Sequence, residues 1–125
     1  MDKKKILIID DEEGFTQVAK FNLEETGDYE VKIENRGSQG LAAAREFKPD
    51  LVLLDIIMPD IDGGEVADQI KADSITEDIP IIFLTAAVTG SEVSSRGGLI
   101  GGHPFIAKPG SLQELIDCIE KTIKK

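Results

Sequence analysis

One cysteine, Cys118, leaves no partner for an internal disulfide, which is compatible with a reducing compartment. No apolar run approaches the length of a membrane span, and the short hydrophobic stretch after Lys3-Lys4-Lys5 is too brief for a signal peptide. A cytoplasmic protein without membrane contact is therefore expected. Basic residues are the minority: 14 Lys and Arg against 24 Asp and Glu give a net charge of −10. Such a surface repels nucleic acid phosphates, so no nucleic acid partner is expected, and the three lysines read as a solvated lead-in to a strand. Internal repeats, low-complexity tracts and linkers are also lacking. What remains, at 125 residues with 41% hydrophobic and 30% charged, is one globular domain spanning 1–125.

Within it, short apolar runs alternate with helical patterns. Ile6-Leu7-Ile8-Ile9, Leu51-Val52-Leu53-Leu54 and Ile79 to Leu84 are nearly continuous aliphatic runs, as expected of strands buried on both faces. Tyr29 to Ile33 and Pro104 to Ala107 read as shorter or edge strands. Phe15, Val18, Ala19 and Leu23 share one face of a first helix, closed by Thr26-Gly27. Leu41, Ala44 and Arg45 mark a second, ending before Pro49, and Val66, Ala67 and Ile70 a third. Leu112, Leu115, Ile116, Ile119 and Ile123 form a stripe on the last, with Ser111 as its expected N-cap and Cys118 packed among them. Between Thr89 and Gly102 five glycines weaken any helix, so a short or mobile fourth helix is expected there. His103 is expected in an exposed loop.

Strands alternating with helices imply a doubly wound parallel sheet covered on both faces, with ligands outside the carboxyl ends of the strands. Those ends carry Asp10-Asp11-Glu12, Asp55, Thr85 and Lys108-Pro109. Either aspartate alone reads most simply as the cap of the first helix, with Glu12 and Glu13 near its positive end, but a cap does not require two. Asp55, set between Leu51-Val52-Leu53-Leu54 and Ile56-Ile57-Met58-Pro59, is costly to bury unless it is paired, hydrogen-bonded or metal-bound. Gathered carboxylates repel one another; a divalent cation relieves that, and oxygen ligands suit Mg²⁺, which keeps room for a phosphate oxygen.

At these residues the chain resembles the receiver domain of two-component response regulators, over essentially its whole length. The matching segments are Ile6 to Glu12, Asp55-Ile-Ile-Met58-Pro59-Asp60-Ile61-Asp62-Gly63, Ile79 to Ala86, and Phe105-Ile-Ala-Lys108-Pro109. The resemblance implies a flavodoxin-like five-stranded parallel sheet, order 2-1-3-4-5, with five helices and a cis peptide before Pro109. It implies that Asp55 accepts a phosphoryl group from a sensor histidine kinase or phosphotransfer protein. Asp10, Asp11, Asp55 and the carbonyl of Ile57 would hold Mg²⁺, with Lys108 and Thr85 on the phosphoryl oxygens. Thr85 and Phe105 would form the switch acting on a downstream protein partner, although Phe105 serves as well as plain core filler.

Catalysis would then be limited to the chain's own phosphorylation and dephosphorylation. A phosphohydrolase is the competing reading, but it needs a second acid two residues after Asp55, where Ile57 stands. A nucleotide- or flavin-binding module lacks a Gly-rich phosphate loop after the first strand. A phosphate-independent scaffold leaves the acceptor residues without a purpose. The Met1 start and the polar end from Lys121 to Lys125 favour a stand-alone regulator over an excised fragment.

Overall fold

The computed structural model describes residues 3–85, 99–100, 103–108 and 112–123. Strands β1 (Lys4–Ile9), β2 (Tyr29–Glu34), β3 (Leu51–Asp55), β4 (Ile81–Thr85) and β6 (His103–Ala107) run parallel in the order β2-β1-β3-β4-β6. This is the expected flavodoxin-like order. One element was not expected: Leu99–Ile100 forms a two-residue strand, β5, antiparallel to β6 at the sheet edge. Those two residues are therefore strand and not part of a fourth helix; the rest of that expected helix lies outside the described residues, as do Ser111 and Pro109. The described residues contain four α-helices: α1 (Glu13–Glu25), α2 (Gly40–Phe47), α3 (Gly63–Ala72) and α4 (Leu112–Ile123), with a single 3₁₀ turn at Gly37–Gln39.

The continuous aliphatic runs follow from burial on both faces. Leu7, Ile9, Val52, Leu54, Ile81, Phe83 and Phe105 point into one core, covered by α2 and α3. The alternate residues Ile6, Ile8, Leu51, Leu53, Ile82 and Leu84 point into the other, covered by α1 and α4. Because side chains alternate along a strand, each run feeds both cores at once. The central strands are thus fixed in register, and their carboxyl ends form one rigid edge.

The helices match their stripes with two exceptions, one of them Leu112 at the start of α4, which is 37% exposed. On α1 the buried residues are Thr16, Ala19 and Leu23, whereas Val18, expected on the same face, is 60% exposed. Thr26 and Gly27 close α1 as expected, Gly27 with φ +84°. Helix α2 ends before Pro49, but the residue that turns the chain is Lys48, held left-handed at φ 51° with its N–H on the carbonyl of Ala44. His103 is not a loop residue: it opens β6, half-buried, with its ring edge-on to Phe83 at 5.6 Å.

Candidate functional site

The parallel sheet brings the expected residues to one edge. Asp10 follows β1, Asp55 ends β3, Thr85 ends β4 and Lys108 follows β6. Asp10, Asp11 and Asp55 each offer a carboxylate oxygen, and these oxygens lie within 4.8 Å of one another. Asp10, Asp55, Thr85 and Lys108 are buried, and Asp11 is half-buried. Neither aspartate caps α1. The N-cap is Glu12, whose own N–H donates to Asp10 Oδ1 at 2.9 Å, turning the chain so that Asp10 faces inward.

Lys108 is the cation of the site. Its Nζ donates to Asp10 Oδ2 at 2.8 Å and to Glu12 Oε1, and stands 3.8 Å from Asp55 Oδ2. The ammonium also lies over the Phe15 ring, 4.8 Å from its centroid. Burial alone would lower its pKa, but the hydrogen bonds it donates to Asp10 and Glu12 and the charges of Asp10 and Asp55 outweigh that and raise it. Lys108 is thus a permanent cation.

Asp55 behaves oppositely. Burial first, then the charge of Asp10, push its pKa up to about 7, against the opposing pull of Lys108 and of the Ile57 N–H. The asymmetry follows from distance: Lys108 is spent on Asp10 and lies too far from Asp55 to balance it. One ammonium facing three carboxylates leaves negative charge that a bound cation would neutralise. The cluster therefore fits a metal ion held by hard oxygen ligands.

The loop after β3 is held tightly. Gly63 donates to the carbonyl of Ile56 at 2.7 Å, and a Cβ on Gly63 would stand 2.1 Å from the carbonyl oxygen of Asp55. Glycine there is a requirement of close approach. Asp62 caps α3 through a hydrogen bond from the N–H of Gly64. Across the loop, Asp60 accepts from the N–H of Ser38, and Met58 and Ile61 pack over Gly37. Ile57 itself turns its side chain to solvent, 67% exposed.

Three participants were not expected. Glu12 stood beside the acidic pair but was not seen as a partner of Lys108. Phe15 packs against the core as expected and, beyond that, lies under the ammonium. Asn35, just after β2, donates to the carbonyl of Asp10 at 2.8 Å and to Thr16 Oγ1 at 3.2 Å, fixing the turn after β1. Its position was in principle legible, since β2 neighbours β1 and ends at the same edge. Phe105 is buried against the core that contains Phe83.

Residues 6–120 match the family model of the response regulator receiver domain. The chain belongs to this family. It is a receiver domain, the phosphorylation-dependent signalling switch of two-component systems. It is 38% identical over 123 residues to the phosphate regulon transcriptional regulatory protein PhoB of Pseudomonas aeruginosa, covering 98% of this chain and 52% of that protein. The chain spans about half the length of the curated relatives it matches. Among solved structures it resembles a CheY-like receiver domain protein from Methanospirillum hungatei, with TM-score 0.83 and 28% identity over 98% of this chain and 95% of that one. It also resembles the receiver domain of sensor histidine kinase PA1611 from P. aeruginosa, with TM-score 0.82 and 26% identity over 99% and 100% of the two chains. In that structure a magnesium ion is coordinated in the active site cleft. No helix among the described residues is long and apolar enough to cross a membrane.

Proposed function

We propose that Asp55 is the phosphoryl acceptor of this receiver domain, on one observation above others. It is a buried carboxylate at a strand end, with Asp10 and Asp11 on one side and the Lys108 ammonium 3.8 Å away on another. A carboxylate oxygen of Asp55 attacks the phosphorus of a phosphohistidine on a sensor kinase or phosphotransfer protein. The P–O bond forms as the P–N bond breaks, and the imidazole keeps the electron pair and takes up a proton.

Asp10, Asp11, Asp55 and the carbonyl of Ile57 are the residues that would hold Mg²⁺. When bound, Mg²⁺ would neutralise the carboxylates and the phosphoryl oxygens as the group passes to Asp55. Lys108 pairs with one phosphoryl oxygen and the Thr85 hydroxyl with another. Transfer through a loose transition state needs little beyond such positioning and charge neutralisation. Hydrolysis of the acyl phosphate returns Asp55 to a carboxylate, so turnover is confined to the chain's own phosphate. Ile57, two residues past Asp55, has no proton to give a leaving group, which argues against a phosphatase of external esters.

The output is conformational: Thr85 closes on the phosphoryl group, and Phe105 exchanges between its buried position and an outward one, reshaping the face around β6 for a protein partner. The net charge of −10 suits a protein contact in the cytoplasm better than a nucleic acid. The whole span 1–125 acts as one receiver unit. The test is incubation with acetyl phosphate and Mg²⁺: the native chain gains a hydroxylamine-sensitive label and Asp55→Asn does not. A label that survives in Asp55→Asn sinks the assignment.

A further inference from the structure

We infer that Glu12 is a latch on Lys108, holding its ammonium in a resting position that must be released before it can pair with a phosphoryl group on Asp55. The inference rests on the proposed pairing of Lys108 with phosphoryl oxygen. An ammonium has three N–H donors. In this structure Nζ gives one to Asp10 at 2.8 Å and one to Glu12, while its third side faces the Phe15 ring and Asp55 lies at 3.8 Å, beyond hydrogen-bond reach. Two of the three donors are thus held on Asp10 and Glu12, and the ammonium rests out of hydrogen-bond reach of the acceptor.

The two carboxylates holding Lys108 are not equivalent. Asp10 is fully buried, accepts the N–H of Glu12, and belongs to the acidic cluster, so it has nowhere to turn. The Glu12 side chain is 61% exposed, so water can take over its oxygen once Lys108 leaves. The pair is open to water on its Glu12 side only, Lys108 being buried, so release exchanges the carboxylate from the ammonium to water while Asp10 still holds the cation. Glu12 therefore sets where Lys108 rests without locking it there. It is a positioning residue: its side chain acts through Lys108. Its backbone N–H, which orients Asp10, is unaffected by changes of its side chain.

The experiment titrates the whole chain with beryllofluoride in saturating Mg²⁺, following occupancy by ¹⁹F NMR, which reads binding and not turnover. Glu12→Gln, which removes the charge, and Glu12→Asp, which keeps the charge but shortens the reach, are both expected to bind beryllofluoride at least threefold more tightly than the native chain. Glu13→Gln, an equally exposed acid on the next residue that does not contact Lys108, should change binding by less than half that factor. Lys108→Met, which keeps an apolar stem on Phe15, should weaken binding at least tenfold while leaving it measurable, and Glu12→Gln should have no effect in that background. Unchanged or weaker binding by Glu12→Gln, with Lys108→Met weakened as expected, overturns the latch alone. Native affinity in Glu12→Asp or an equal gain in Glu13→Gln also overturns it, because either result makes charge and not contact the cause. Native binding by Lys108→Met overturns the phosphoryl pairing of Lys108, and the latch with it.

Discussion

The backbone N–H of Lys108 donates to the carbonyl of Thr85 at 2.8 Å, one step beyond the Thr85–Ala107 pair that closes the β4–β6 ladder. The hydroxyl and the ammonium of the site are thus carried on one hydrogen-bonded rung, and neither strand end shifts without the other. In beryllofluoride titrations, Thr85→Ala and Lys108→Met should each weaken binding. Their combination should depart from additivity by about 0.5 kcal/mol or more, as expected for residues sharing a network. Strict additivity in the double-mutant cycle would count against mechanical coupling of the pair.

Gly63→Ala should be severely destabilising. The new methyl would meet the Asp55 carbonyl oxygen at 2.1 Å and the Ile56 Cα at 2.7 Å, both backbone atoms of the loop that carries the acceptor. Relief requires moving that loop, at a cost of about 3 kcal/mol, the upper end for overpacking. Gly64→Ala is the control: its Cβ meets nothing closer than 4.0 Å, so it should be neutral or slightly stabilising. Urea denaturation of the two variants side by side decides the matter, and similar midpoints would refute the contact.

Lys48→Gly should raise stability. Lys48 closes α2 at φ 51°, ψ 61°, a left-handed conformation in which a Cβ is strained and glycine is not. Its neighbours offer no compensating reason for a lysine, and an expected gain of about 0.5–1 kcal/mol follows from the removed strain. An unchanged or lower midpoint in chemical denaturation would show that the lysine side chain stabilises the turn in some other way.

What could be read in the sequence was what periodicity and chain direction determine. Leu51-Val52-Leu53-Leu54 announces a strand because both of its faces are buried, and the same logic places Asp10, Asp55, Thr85 and Lys108 at one edge once the sheet is parallel. What could not be read depends on side-chain reach or on very short elements. Glu12 meets Lys108 through the reach of its side chain across the turn after β1. Leu99–Ile100 is too short and too close to glycines to carry a strand pattern, and it exists only because β6 offers an edge. His103 looked like a loop residue between Gly102 and Pro104, but Phe83 on the neighbouring strand gives its ring a surface to pack on. Val18 has the right spacing for the buried face of α1, yet Thr16 takes that place through its bond with Asn35.

His103 should make stability depend on pH. Its pKa is lowered, first by burial and then by the charge of Lys71, with Asp68 opposing. The folded chain therefore prefers the neutral ring, and the unfolded chain binds the proton more readily. The contribution is present above the ordinary histidine range near 6.5 and is lost as pH falls below it. Comparing urea unfolding at pH 7.5 and pH 5.5, the native chain should lose more stability than His103→Leu. Equal losses in the two proteins would show that the ring titrates as freely in the fold as in the unfolded chain.

Metal should narrow or reverse the order of stability of the native chain and Asp55→Asn. Without a divalent cation, Asp55 is buried beside Asp10 and its pKa stands at about 7, so the fold favours its protonated form. Its unfolded pKa is near the model value of 3.8, and the stability this proton confers is therefore present below that value and lost as pH rises through about 7. In chelator at pH 8, Asp55→Asn should accordingly unfold at a higher midpoint than the native chain, by a few degrees, and the gap should shrink at pH 4 to 5. With Mg²⁺ at about 100 times its dissociation constant, binding to the folded state alone should stabilise the native chain by about 2.7 kcal/mol. Asp55→Asn, with one ligand neutralised, should gain less, so the order of the two midpoints narrows or reverses. Thermal melts in chelator and in Mg²⁺ at both pH values test this. If Asp55→Asn is the less stable protein in chelator at pH 8, the acidic cluster is not repulsive and Asp55 is not held against its charge.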